Sequence, residues 1–138
     1  MRGRITHDTN PDRTARKDYW GVVLDSRTPR ELGRFYAALL EWELANDDED
    51  WVTLRAPDGV AYLAFHRNEH HVRPVWPSTP DQPQQQLHLD FEVQDLEVAV
   101  AHAIELGATQ AAYQPQDDVR VLLDPDGHPF CLYLGSSE

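Results

Sequence analysis

The chain contains a single cysteine, Cys131, so it cannot form an internal disulfide. The chain also contains no apolar run of membrane-spanning length and no charged-then-apolar leader. We therefore expect a cytoplasmic protein whose stability comes from a packed core. Its 138 residues suit one domain.

Basic residues are scarce as well, with 12 Lys and Arg against 24 Asp and Glu, which gives a net charge of -12. Residues 2–17 hold five of the basic residues and two acidic ones, so the remainder carries -15. Because such an acidic body repels phosphate groups, we predict that neither nucleic acid nor a membrane is a partner. We interpret residues 1–18 as an N-terminal tail.

The second half of the chain has the pattern of a strand, a helix and three further strands. Apolar and polar residues alternate from Leu87 to Val93, which predicts a strand with one apolar face. Asp95 then caps a helix that Gly107 ends. Turn residues separate three short strand candidates, at Ala108–Tyr113, Val119–Leu123 and Phe130–Leu134.

The first half repeats this order. A strand is predicted over Trp20–Leu24, and Thr28 with Glu31 forms a predicted capping box that has Pro29 at the first helical position. Strands follow the helix at Trp42–Ala45, Trp51–Arg55 and Ala61–His66.

A nearly constant offset relates the two halves. Gly21 and His88 lie 67 residues apart, and the glycines of two Pro-Asp-Gly turns, Gly59 and Gly127, lie 68 apart. The sequence thus predicts an α+β fold of two tandem βαβββ modules. The predicted boundaries are module one at 19–66, a proline-rich linker at 67–86 and module two at 87–134, all within a single domain at 19–138.

Several short motifs occur in a fixed order along the chain: Thr28-Pro29, Phe35-Tyr36, Leu40-Glu41-Trp42, Leu87-His88-Leu89-Asp90, Gly107-Ala108-Thr109 and Asp124-Pro125-Asp126-Gly127. With these motifs the chain resembles the vicinal oxygen chelate superfamily, which includes glyoxalase I, bleomycin resistance proteins and extradiol dioxygenases. The resemblance implies a glyoxalase-like domain whose cupped mixed β-sheet encloses a ligand cavity, with the helices outside, and it implies a homodimer.

In metal-dependent members, side chains from the first and last strands of each module hold the ion. The resemblance places these positions at Gly21, Leu63, His88 and Cys131, and glycine and leucine offer no side-chain ligand. Neighbouring carboxylates could supply a displaced site, but side chains two apart on a strand are about 7 Å apart and converge poorly. We therefore predict no metal and no cofactor.

His88 and Asp90 are the predicted catalytic residues. An imidazole titrates near neutrality, and a carboxylate beside it can hold its tautomer for acid/base chemistry. The alternative is a histidine that only shapes the pocket. Cys131 is interpreted as a small buried hydrophobe, and a nucleophilic thiol is the competing hypothesis.

The predicted cavity takes residues from the strands of both modules. Trp20 and Trp51 are aromatic side chains that could form its wall or a subunit contact. The predicted lining residues are Gly21, Asp25, Leu63, His88, Asp90, Glu92, Cys131 and Tyr133.

Three functions follow from this sequence reading. The first is metal-free binding of a small organic molecule, by sequestration or with cofactor-free acid/base chemistry at His88. The second is a metal-dependent lyase, isomerase or dioxygenase of the glyoxalase type. The third is a dimeric interaction module without catalysis.

Overall fold

The computed structural model describes residues 20–57 and 61–135. The predicted tail at 1–18 lies outside these ranges, as do Asp58 and Gly59 of the first Pro-Asp-Gly turn. Within the chain, contacts define two compact units whose boundary falls between Asn68 and Glu69. Each described unit contains one four-stranded sheet and one helix, which confirms the predicted α+β fold of two βαβββ modules.

The elements follow the predicted order. The first unit contains β1 (Trp20–Ser26), α1 (Pro29–Leu40), β2 (Glu43–Asp47), β3 (Trp51–Arg55) and β4 (Ala61–Arg67). The second contains β5 (Leu89–Val93), α2 (Leu96–Leu106), β6 (Thr109–Gln110), β7 (Val119–Leu123) and β8 (Pro129–Leu134).

The sheet of the first unit has the order β1-β4-β3-β2, with β1 parallel to β4 and the other pairs antiparallel. Helix α1 covers one side of it, where the ring of Tyr36 stacks on that of Phe65 with 5.5 Å between centroids. Val52 and Leu54 are buried on the same side. We call this side the helix face and the opposite side the open face, and we use both names for the second unit too.

Helix α1 begins at Pro29 as predicted, but the predicted capping box is wrong. Thr28 makes no side-chain cap bond. In a capping box the Glu31 side chain would accept a hydrogen bond from the Thr28 backbone N–H. That N–H donates instead to the Ser26 hydroxyl at 2.9 Å. The Thr28 carbonyl still accepts from the N–H groups of Glu31 and Leu32.

The sheet of the second unit has the equivalent order, β5-β8-β7-β6. Both predicted ends of α2 are confirmed: the Asp95 carboxylate accepts from the Val98 N–H, and Gly107 ends the helix at a φ of 120°. Only Ala103 is buried among the residues of this helix, and Val98 and Ile104 are 64% and 46% exposed.

Strand β6 is shorter than the predicted Ala108–Tyr113. The side chain of Gln114 replaces the end of the strand, because its amide accepts from the Val121 N–H and donates to the Val121 carbonyl, both at 2.9 Å. The same amide donates to the Ala111 carbonyl. The Val121 N–H, which a longer β6 would bond through its backbone, is therefore already bonded, while the Val121 carbonyl also accepts from the Ala111 N–H at 3.0 Å.

Part of the predicted linker packs on the last turn of the second unit. His71 Nε2 lies 3.0 Å from the carbonyl oxygen of Asp126, and Arg73 donates to the Pro125 carbonyl at 2.6 Å. The rings of His71 and His128 stack with 4.8 Å between centroids. These contacts fix the beginning of the segment on its own unit.

The described helices include none that is long and apolar enough to cross a membrane.

Candidate functional site

Strand pairing sets the polar residues of the second unit in rows across its open face. Asp90 on β5 pairs with Cys131 on the parallel strand β8, and Glu92 pairs with Tyr133 in the next row. Because side chains alternate along a strand, these four share a face, while Phe91 contacts Phe130 edge-on from the helix face. The predicted polar face of this strand is confirmed.

A recess of about 230 Å³ opens on this face. It is smaller than the roughly 300–1,000 Å³ of sites for drug-sized ligands, so it suits a small molecule or one group of a larger molecule. Its polar and aromatic lining comes from two strands and from the loop before β7. The residues that matter for its chemistry are His88, Asp90, Gln116, Asp118, Cys131 and Tyr133.

His88 and Asp90 lie close together, contrary to the spacing argument made from the sequence. His88 Nε2 is 3.3 Å from Asp90 Oδ1, with the two side chains 46% and 56% exposed. Side chains two apart on one regular strand stand about 7 Å apart, but β5 begins at Leu89 and His88 precedes it. Because His88 lies outside the regular strand, its imidazole can point along the chain toward Asp90.

The thiol of Cys131 completes a group of three. Ligand atoms of His88, Asp90 and Cys131 all lie within 4.8 Å of one another. Burial raises the pKa of Cys131 to about 11, and the charge of Asp90 and the hydrogen bond between the thiol and its carboxylate add to the rise. The neutral thiol is therefore the form present near pH 7, which disfavours the nucleophile hypothesis.

The first unit lacks such a group at the equivalent positions. Gly21 has no side chain, and a Cβ placed there would overlap the ring of Tyr62 on β4. The pairing of β1 with β4 places Tyr62 directly opposite Gly21. The side-chain space at this position is thus filled by an aromatic ring.

Leu63 is not on the open face, where its predicted role in the pocket requires it. It is 5% exposed and pairs with the buried Leu54, whereas Tyr62 lines the open face. Val23 pairs with Ala64 as Asp90 pairs with Cys131, which makes Ala64 the counterpart of Cys131. The turn glycines Gly59 and Gly127 lie 68 residues apart, one more than the 67 between Gly21 and His88. The longer offset assigns Leu63 to the position of Cys131, and a one-residue shift along a strand moves a side chain to the other face. Alanine, like leucine, offers no ligand.

Asp25 belongs to the first unit, and Glu92 does not line the recess beside His88. Asp25 accepts from Asn68 Nδ2 at 2.9 Å, and its Oδ1 is 3.7 Å from His66 Nδ1, all within the first unit. The Glu92 carboxylate lies over the backbone of Gly135, where a Cβ would meet it. The structure therefore brings together four of the predicted residues: His88, Asp90, Cys131 and Tyr133.

Gln116 and Asp118 were missed by the sequence reading. They belong to a loop, and a loop has no alternation that assigns its side chains to a face. The Asp118 carbonyl accepts from the Leu134 N–H at 3.0 Å, which ties the loop to the end of β8 beside the recess.

The sheet order, the paired modules and the open-face site define a protein of the glyoxalase and bleomycin resistance fold. The chain belongs to the Glyoxalase-like domain family, whose model matches residues 21–133. No curated protein matches the sequence.

Solved structures with this fold are similar to this chain over most of their own length. A glyoxalase/bleomycin resistance protein/dioxygenase family enzyme from Burkholderia phytofirmans PsJN is 19% identical, with 83% of this chain and 95% of that chain covered and a TM-score of 0.63. The fosfomycin resistance protein FosX from Mesorhizobium loti is 14% identical, with 86% and 90% covered and a TM-score of 0.59. At these identities the likeness concerns the fold.

Proposed function

We propose that this protein binds a small organic molecule in the recess beside His88 without needing a metal ion. The observation that carries the proposal is the pair formed by His88 Nε2 and Asp90 Oδ1, which are 3.3 Å apart in the lining of a recess of about 230 Å³. A second observation supports it: Gly21, under the Tyr62 ring, and Ala64 supply no metal ligand from the first unit.

The lining of the recess indicates the chemistry of the ligand. Asp90 and Asp118 bring negative charge, while Gln116 offers both a donor and an acceptor. Tyr133 provides an aromatic wall. A compact molecule with an amine, amide or hydroxyl donor therefore complements the recess best, and an anion complements it worst.

The same pair supports proton transfer. A neutral His88 imidazole can accept a proton from a bound molecule, and the Asp90 carboxylate stabilises the imidazolium that results. Simple binding leaves the ligand unchanged, whereas acid/base chemistry converts it. The fosfomycin resistance protein and the glyoxalase-type enzymes among the similar structures agree with either form of small-molecule function.

Binding is tested with protein dialysed against a chelator and screened by thermal shift against primary amines, amides and phenols. Compounds that raise the melting temperature are then titrated by calorimetry into wild-type protein, His88→Ala, Asp90→Asn and His102→Ala. His102 is an exposed residue on α2 and serves as the control. We expect at least about tenfold weaker binding in the first two variants only, since each removes a charge-assisted contact. Compounds that bind His88→Ala as well as wild type would remove the proposal.

A metal-dependent reaction is the second candidate, favoured by the group of His88, Asp90 and Cys131. One nitrogen, one oxygen and one sulfur donor within 4.8 Å of one another fit zinc, whose tetrahedral ligands are about 3.3–3.8 Å apart. A bound zinc ion would supply Lewis-acid chemistry, and these three residues would hold it. Metal analysis of protein purified without chelator separates the two candidates.

The homodimer, the cytoplasmic location and the lack of nucleic-acid and membrane partners stay predictions from the sequence. A dimer that binds none of the screened compounds would favour the interaction-module alternative.

A further inference from the structure

A second recess, of about 320 Å³, lies on the open face of the first unit. Strand β3 supplies Trp51, Thr53 and Arg55 to its lining, β4 supplies Tyr62, and β2 supplies Asn46. None of the described residues that line it is acidic. Its chemistry is therefore opposite to that of the recess beside His88.

The geometry of β3 gives this recess a defined floor and two walls. Every second residue of β3 points to the open face, namely Trp51, Thr53 and Arg55. Consecutive side chains of this set are about 7 Å apart. The Thr53 hydroxyl donates to Asn46 Oδ1 at 2.7 Å, which fixes the floor. Tyr62 pairs directly with Arg55, so an aromatic side chain stands at each end of the floor.

Arg55 differs from Arg30, Arg34 and Arg67, three other described arginines of the first unit. Arg30 and Arg34 approach Asp47, and Arg67 lies 2.9 Å from Glu49. Within residues 20–57 and 61–135, no ion pair or hydrogen bond involves the Arg55 guanidinium.

One carboxylate could compete for Arg55. Glu43 on β2 lies opposite Arg55 in the strand pair, but the two side chains form no ion pair within 4.0 Å. The Arg55 guanidinium, which forms no ion pair with the described residues, is therefore available to an external anion.

We propose that this recess binds a planar aromatic carboxylate. The ring would lie over Thr53 between Trp51 and Tyr62, and the carboxylate would accept two hydrogen bonds from the guanidinium fork of Arg55. Arginine matches a planar carboxylate in this two-bond geometry, and aromatic walls favour a flat ring. The volume, near the lower limit of ligand sites, suits one ring with its acid group.

This inference concerns the first unit and does not depend on the proposed function of the recess beside His88. The two are separated by testing His88→Ala, which is expected to keep aromatic carboxylate binding unchanged.

Benzoate is the probe, and the four tryptophan indole N–H signals of ¹⁵N-labelled full-length protein are the readout. The Trp51 signal is assigned as the one missing in Trp51→Phe. We expect saturable movement of this signal with a dissociation constant on the order of 1 mM, as befits a ligand of this size. Benzamide, which has the same shape without the charge, is expected to bind more weakly.

Variants test the role of the charge. Arg55→Gln is expected to weaken benzoate binding about fivefold or more and to leave benzamide unaffected. Glu43→Gln removes the competing carboxylate and is expected to strengthen benzoate binding. Arg34→Gln, on the helix, is the control that changes net charge equally.

Three results would overturn the proposal. These are no movement of the Trp51 signal at benzoate concentrations of about 10 mM, equal binding of benzoate and benzamide, and benzoate binding that Arg55→Gln and Arg34→Gln weaken equally. Because Arg55 is exposed, its replacement is expected to leave the fold intact. The dispersion of the amide signals checks that each variant is folded.

Discussion

The two units share a sheet order and a pairing register but differ on their open faces. The row that holds Asp90, Cys131 and Val121 in the second unit holds Val23, Ala64 and Thr53 in the first. Strand pairing uses backbone groups, so it survives changes of side chain. A duplicated module can therefore keep its fold while one open face becomes acidic and the other aromatic and cationic.

The helix faces differ as well. Helix α1 buries large side chains, including Leu32, Phe35 and Tyr36, while among the residues of α2 only Ala103 is buried. The first unit therefore depends more on its helix for core packing.

Truncation of one large apolar residue in each helix tests this difference. Tyr36→Ala is expected to lower the free energy of unfolding by about 4 kcal/mol, because it removes a fully buried ring that stacks on Phe65. Ile104→Ala, on α2, is expected to change it by less than about 0.5 kcal/mol, since Ile104 is 46% exposed. Urea denaturation measures both. Equal losses would contradict the difference between the helices.

The last turn offers a second comparison, because Ala56 precedes the Pro-Asp-Gly turn of the first unit where Asp124 precedes that of the second. The buried Asp124 carboxylate accepts from the N–H groups of Asp126 and His128 and lies 2.8 Å from His128 Nδ1. Asp124→Ala introduces the residue that the first unit has at this position. The N–H groups of Asp126 and His128 then lose their carboxylate acceptor. We expect a loss of about 2–3 kcal/mol, and no loss in the exposed control Asp81→Ala. A loss under about 0.5 kcal/mol would show that the turn does not need the carboxylate.

The packing of Tyr62 over Gly21 is tested by a double-mutant cycle. Gly21→Ala is expected to cost about 2 kcal/mol, because the new methyl group must displace the ring. In the Tyr62→Leu background the cost is expected to fall below about 1 kcal/mol, since the ring is gone. An equal cost in both backgrounds would mean that the ring does not constrain this position.

The smallest effect concerns Cys131. With a pKa of about 11 in place of 9.0, its thiolate fraction near pH 8 is about 100-fold below that of an ordinary thiol, which predicts slow alkylation by iodoacetamide. Asp90→Asn removes the charge but leaves the burial, which is the larger cause, so we expect only about a threefold faster rate. A rate for wild type equal to that of a free thiol would contradict the partial burial of Cys131.

The same raised pKa has a consequence for stability. Because folding favours the neutral thiol, the stability that this provides is complete below pH 9.0 and is lost as the pH rises toward about 11. A Cys131→Ala variant is expected to lose the part of the alkaline destabilisation that this thiol causes.

Local patterns in the sequence predicted the strands and both helix starts, because alternation, proline at a first turn and an aspartate cap act within a few residues. The face of Leu63 was not predictable in this way. It depends on strand register, and the offset changes by one residue between the first strand and the turn glycine of each module.

Contacts between side chains were the other unpredictable part. The approach of His88 to Asp90 depends on where β5 begins, and the packing of Tyr62 over Gly21 depends on the pairing of two strands distant in sequence. Both contacts decide what each open face can bind. Four of the predicted residues, His88, Asp90, Cys131 and Tyr133, line the candidate recess, and the structure supplied their arrangement.

Calorimetric titration of Zn²⁺ into chelator-treated wild-type protein and His88→Ala tests the central claim most directly, that the recess beside His88 works without a metal. The account predicts no stoichiometric binding tighter than about 1 µM in either protein. One zinc ion bound more tightly than this by wild type, and lost in His88→Ala, would contradict it.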